Sequence, residues 1–197
     1  DHMPMIDIEQ RLMDNLKHND ARYWLIDRFE EVHGVNLEKW KPGRRKRGDR
    51  ILIVPPSQKV FNHFGGDAKE FVEKLIKEIK LYTDRPIEIR PKVGRDKRVS
   101  YTVQDQLRSG NYHCLVTYNS IASLEAISVG MPAVVTGPNA GSYLSEKDLK
   151  NIDEPYYPDR KKLFEHIYYL TFCQLHSNEF RSPNAFKVIE SLQGNNK

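Results

Sequence analysis

The chain has 197 residues, a net charge of +4 at neutral pH, 39% hydrophobic and 29% charged residues. These values describe an ordinary globular protein large enough for a real core and argue against a disordered or fibrous chain. The mild basicity permits an anionic ligand or nucleic acid without requiring one. No apolar run approaches the roughly 18 residues of a membrane span. The start, Asp1-His2-Met3-Pro4-Met5, has no apolar segment, so no secretory leader is expected. Cys114 and Cys173 sit in apolar surroundings without metal-ligand spacing, which fits reduced core thiols and a cytoplasmic location.

Residues 6–33 carry apolar positions at helical spacing, from Ile8 and Leu12 to Trp24 and Phe29, with a break at Asn19-Asp20. They predict two helices packed on a larger body. Trp40-Lys41-Pro42-Gly43 marks a turn. The basic run Arg44-Arg45-Lys46-Arg47 follows, either a solvated loop or a landing site for a polyanion such as nucleic acid or for acidic lipid headgroups.

Ile51-Leu52-Ile53-Val54 is the continuous apolar run of a strand covered on both faces. Pro55-Pro56-Ser57-Gln58 opens a loop expected to run past His63 and Gly65-Gly66. Asp67 is placed to cap a helix over residues 68–81, with an apolar stripe of Phe71, Val72, Leu75, Ile76 and Ile79. A second strand over 87–90 is followed by a basic loop, a short helix around 102–109 and a third strand over 113–117.

The stretch 117–137 then reads as strand end, turn, short helix, stop and fourth strand over 133–136. Asn119 or Ser120 is the expected cap, and Gly130 and Pro132 end the helix. Glu125 is the only charge on it. Either the carboxylate bonds a neighbouring Arg or loop N–H, or it accepts from hydroxyls of a ligand such as a ribose. The helix start offers N–H groups to a phosphate. Beyond Gly137 come a polar loop, a segment 145–149 and a helix begun by Pro158. Tyr156 and Tyr157 precede that helix and Tyr168 and Tyr169 lie within it, aromatics expected in a core rather than stacked on a ligand.

Alternating strands and helices predict an α/β fold: a Rossmann-like parallel sheet of order about 2-1-3-4, flanked by helices, with an N-terminal helical extension. The expected divisions are 1–47 for the extension, 48–190 for the sheet domain and 191–197 for a frayed tail. In such a sheet a ligand binds beyond the carboxyl ends of the strands where the winding reverses, here near Ser57 and Thr117 to Ser120.

The span from about Ile51 to Phe186 resembles the C-terminal, nucleotide-binding half of GT-B glycosyltransferases. It is most similar to the capsule-polysaccharide and Kdo-transferase-like group and to small phage-encoded glycosyltransferase-like proteins. Asn119-Ser120, Glu125-Ala126, Gly130 and Pro132 carry the resemblance. It implies a UDP-, GDP- or CMP-sugar donor, with the Ser turn at the phosphates and Glu125 at the ribose. Arg90-Pro91-Lys92 occupies the place where such proteins often neutralise the donor's diphosphate or carboxylate. The acceptor would be a polysaccharide or a modified DNA base, and a phage-encoded protein would act in the host cytoplasm.

One departure is plain. The segment before Ile51 reads as helices and not as an acceptor domain, which leaves open an acceptor domain reduced to a helical cap, a partner chain or an oligomer that completes the site, or a non-catalytic binding module. His63 and Asp67 are the visible candidates for a general base. No carboxylate cluster of metal-ligand type is present, so no metal and no permanently bound cofactor are expected.

Overall fold

A computed structural model describes residues 43–45, 47–64, 66–90, 102–173 and 186. The predicted helices over residues 6–33 lie outside the described residues, as do Lys46, Lys92 and the tail from residue 187. The chain divides into two compact units, one of Pro42–Asp159 and one of Asp1–Lys41 with Arg160–Lys197.

In the first unit β1 (Arg50–Val54) is followed by α1 (Gln58–Phe64), α2 (Ala68–Ile79) and β2 (Ile87–Ile89). Then come α3 (Val103–Ser109), β3 (Tyr112–Thr117), α4 (Ala122–Ser128) and β4 (Ala133–Val135), with short 3-10 turns at Ser142–Leu144 and Leu149–Asn151. The four strands form one parallel sheet in the order β2-β1-β3-β4, as expected. Glu146 adds a one-residue parallel bridge to Val134.

Because the strands are covered on both faces, the core has two halves. On one face Ile51, Ile53, Cys114, Val116 and Val134 pack with Leu75 and Ile79 of α2 and with Leu149 and Ile152. On the other, Leu52, Val54, Tyr112 and Leu115 pack with Leu107 of α3 and with Ala122 and Ala126 of α4. The β1-to-β2 crossover thus covers one face and the crossovers into β3 and β4 cover the other. The winding reverses between β1 and β3. Burial pushes the Cys114 thiol up to about 12, so it stays a protonated core side chain.

The helix ends follow local chemistry. Asp67 caps α2, its Oδ1 accepting the N–H groups of Lys69 at 2.7 Å and Glu70 at 3.0 Å. Thr102 and Asp105 form a reciprocal capping box on α3. Gly130 ends α4 with a φ of +91°. The Met131 N–H reaches the Ala126 carbonyl at 2.9 Å and the Gly130 N–H reaches Ile127 at 3.1 Å, the two bonds of a Schellman stop.

One expectation needs correction. Residues 58–64 are helix and not loop. An isolated helix of seven residues is marginal, and its neighbours hold this one. The Gln58 amide donates to Asn62 at 2.8 Å and accepts the Ala68 N–H at 3.0 Å. Phe61 packs on Phe71 and Tyr118, with ring centroids 5.1 and 5.9 Å apart.

In the second unit α5 (Arg160–Cys173) starts two residues after Pro158 and carries a Lys161–Glu165 pair at 3.8 Å. Among the described residues no helix is long and apolar enough to cross a membrane.

Candidate functional site

The carboxyl ends of β1 and β3 meet at Val54 and Thr117, which pair in register. The fully buried Thr117 hydroxyl donates to the Val54 carbonyl at 2.8 Å. Above this floor lie the segment 55–57, the turn 118–121 and the loop from Thr136. Ser57 ends the first segment, with its carbonyl accepting the Val60 N–H at 3.0 Å.

The turn 118–121 alters the expected phosphate donors. The geometric cap of α4 is Ile121, whose side chain accepts nothing. Among the described residues Ser120 Oγ accepts only the Ala122 N–H, at 3.3 Å. The N–H groups of Ser123, Leu124 and Glu125 turn back onto the carbonyls of Ser120 and Ile121. Within the helix itself the first donors are therefore used internally. Those of Asn119, Ser120 and Ile121 donate to no described group, so any amides open to a ligand belong to the turn.

Glu125 lies in the first turn of α4 and is partly buried. Among the described residues its carboxylate makes neither a hydrogen bond nor an ion pair. Burial raises its pKa, and the nearby positive charge of Arg90 pulls it back down. Arg90 follows β2 with its N–H bonded to the Ile53 carbonyl at 2.9 Å, and its guanidinium donates to Gln106 Oε1.

The expected bases are placed differently from each other. His63 is in α1 rather than on a glycine loop. The Asp67 carboxylate is engaged as the α2 cap. Lys92 lies outside the described residues. Among the described residues no three His, Cys, Asp or Glu side chains gather as metal ligands do.

The basic run is not part of this crevice. Arg50 opens β1, and the N–H groups of Asp49 and Arg50 bond the Asn111 carbonyl just ahead of β3. Arg44, Arg45 and Arg47 therefore sit toward the opposite, amino-terminal edge of the sheet. Arg45 donates to the Pro155 carbonyl at 3.4 Å and pairs with Glu154 at 3.6 Å, so it ties two loops together. Gly43 donates to Ser128 at 2.9 Å, and the Tyr157 hydroxyl donates to Ile127 at 3.1 Å. These two bonds satisfy carbonyls at the carboxyl end of α4.

Two sets of contacts had no sequence signal. Tyr118 packs against both Phe61 and Phe71, 5.4 Å from the latter. Gln106, in a polar stretch of α3, meets Glu88, Tyr112 and Arg90. The spacing of neither residue could reveal it, because each contact joins separate elements. Comparison with known proteins gave no match to any family model and none to a curated protein.

Proposed function

We propose that this chain binds a nucleotide sugar beyond the carboxyl ends of β1 and β3 and acts as a glycosyltransferase of the GT-B kind. One observation carries the reading: a partly buried carboxylate, Glu125, without a described partner, stands in the field of Arg90 at the place where the winding reverses. A carboxylate beside a cation suits a ligand with both hydroxyls and negative charge, which a nucleoside phosphate has.

In this reading the ribose hydroxyls donate to Glu125. Arg90, with Lys92 and the amides of Asn119, Ser120 and Ile121, takes the phosphates. Transfer breaks the bond between the sugar's anomeric carbon and the phosphate oxygen and forms one to an acceptor oxygen, whose proton leaves to a base. Charge grows on the departing nucleoside phosphate, and donors already aimed at it lower the barrier. A short helix end is worth only about 0.3–1 kcal/mol toward an anion, so Arg90 must carry most of that stabilisation. The acceptor would be a polysaccharide or a modified DNA base, and a partner chain or second copy would complete its site.

A second reading, a nucleotide-binding module without turnover, is favoured by the Asp67 carboxylate being held as a helix cap. Thermal-shift titration with UDP, GDP and CMP tests both. Stabilisation by one of them that Glu125→Ala removes supports the site, and no shift with any of the three refutes it. Release of nucleotide from the matching sugar donor, on adding acceptor, separates the transferase from the module.

A further inference from the structure

Three polar side chains from three elements form a closed set behind Arg90. The Tyr112 hydroxyl donates to Glu88 Oε1 at 2.7 Å. The Gln106 amide nitrogen donates both to Glu88 Oε1 and to the Tyr112 hydroxyl oxygen, each at 2.9 Å. Arg50 approaches the other Glu88 oxygen at 3.9 Å. Each amide hydrogen of Gln106 then has its own acceptor, so the orientation of the amide is decided. Its Oε1 must point away from Glu88, and there it receives the Arg90 guanidinium.

The sheet explains why these groups meet. Glu88 pairs in register with Leu52, a residue of the α3/α4 face. Arg90, two residues on, continues that face. Tyr112 opens β3 on the same face and is almost fully buried. Leu107 anchors α3 in that half of the core and sets Gln106 beside it. A long side chain loses considerable rotamer freedom when fixed; here the loss falls at folding rather than at binding, which is preorganisation.

We propose that Gln106, locked by Glu88 and Tyr112, is the positioning residue that holds the Arg90 guanidinium over the anion subsite beside Glu125. The ligand class is a pyrophosphate or phosphate-ester anion, with Glu125 selecting a hydroxyl-bearing group next to it. The proposal extends the nucleotide-sugar reading and rests on it for the identity of the full ligand. Gln106 touches no ligand in this scheme and acts only through Arg90.

The test is isothermal titration of the full chain with UDP, uridine and inorganic pyrophosphate, with far-UV circular dichroism and melting of each variant as folding controls. Gln106→Leu should weaken UDP and pyrophosphate by about tenfold, the scale of one charged hydrogen bond, and leave uridine unchanged. Tyr112→Phe, which keeps the ring, should give a smaller loss of the same kind. The Gln106→Leu effect should vanish in an Arg90→Ala background, because a residue acting through another cannot add to its removal. Equal affinity of the folded Gln106→Leu variant for UDP and pyrophosphate, or additive losses in the double variant, overturns the proposal. Binding of pyrophosphate with these effects but of no nucleotide supports the positioning role and refutes the nucleotide-sugar reading. Binding of neither probe by the unaltered chain refutes both.

Discussion

The Thr117 hydroxyl donates to the Val54 carbonyl at 2.8 Å, joining the ends of the two strands between which the winding reverses. The bond is fully buried. It adds a side-chain bond to the backbone ladder that already pairs Val54 with Thr117 where the two strands end. Thr117→Val keeps the shape and removes the donor. We expect a loss of about 1 kcal/mol, read as a lower urea midpoint with an unchanged m-value. An unchanged midpoint would show that the bond contributes nothing net.

Glu125 offers a prediction whose sign is opposite to that of most carboxylates. Its folded pKa is raised, first by burial, with Arg90 opposing. The folded state therefore binds its proton more tightly than the unfolded chain does. The charged form is a stability cost that is absent below the unfolded value of 4.5 and builds as pH rises through the folded pKa. Glu125→Gln should melt higher than the unaltered chain at pH 7, with the gap closing below pH 4.5. The same variant should bind UDP more weakly. A variant less stable at pH 7 would indicate a charged partner for Glu125.

Asp67 separates a structural role from a chemical one. Its carboxylate accepts two N–H groups at the start of α2. Asp67→Ala should cost about 1 kcal/mol, and Asp67→Asn much less, since Asn caps nearly as well. Unaltered UDP affinity in Asp67→Asn is expected. Loss of sugar transfer in that variant, with stability intact, would instead assign Asp67 as the base.

Gly130 is where α4 cannot accept a side chain. Its φ of +91° disfavours any L-residue, and a Cβ there would run into the backbone carbonyl of Arg44. Gly130→Ala should destabilise by more than about 1 kcal/mol, measured by urea unfolding. A near-neutral effect would mean that residues 43–45 move away from the helix end at little cost.

Much of this architecture is local and therefore readable. The apolar run 51–54 forces a strand covered on both faces, and Asp67 and Gly130 mark helix ends through bonds within a few residues of themselves. The strand order followed from handedness once four strands alternated with helices. The helix at 58–64 was hidden because its stability comes from Phe71, Tyr118 and Ala68, beyond its own sequence. Arg45 looked like one cation of a patch, yet its partners, Glu154 and Pro155, lie more than a hundred positions away.

The candidate site divides in the same way. The chain's sequence by itself determined that a lone carboxylate at position 125 would follow the third strand, at the edge where a ligand is expected. Only the tertiary structure decided that this carboxylate is partly buried within reach of the charge of Arg90, and that the Arg90 guanidinium donates to Gln106, which is itself bonded to Glu88 and Tyr112. The reason is physical. Backbone caps and apolar periodicity act over a few residues, so the sequence specifies them directly. Hydrogen bonds among side chains of β2, α3 and β3 exist only after the sheet has brought the three together.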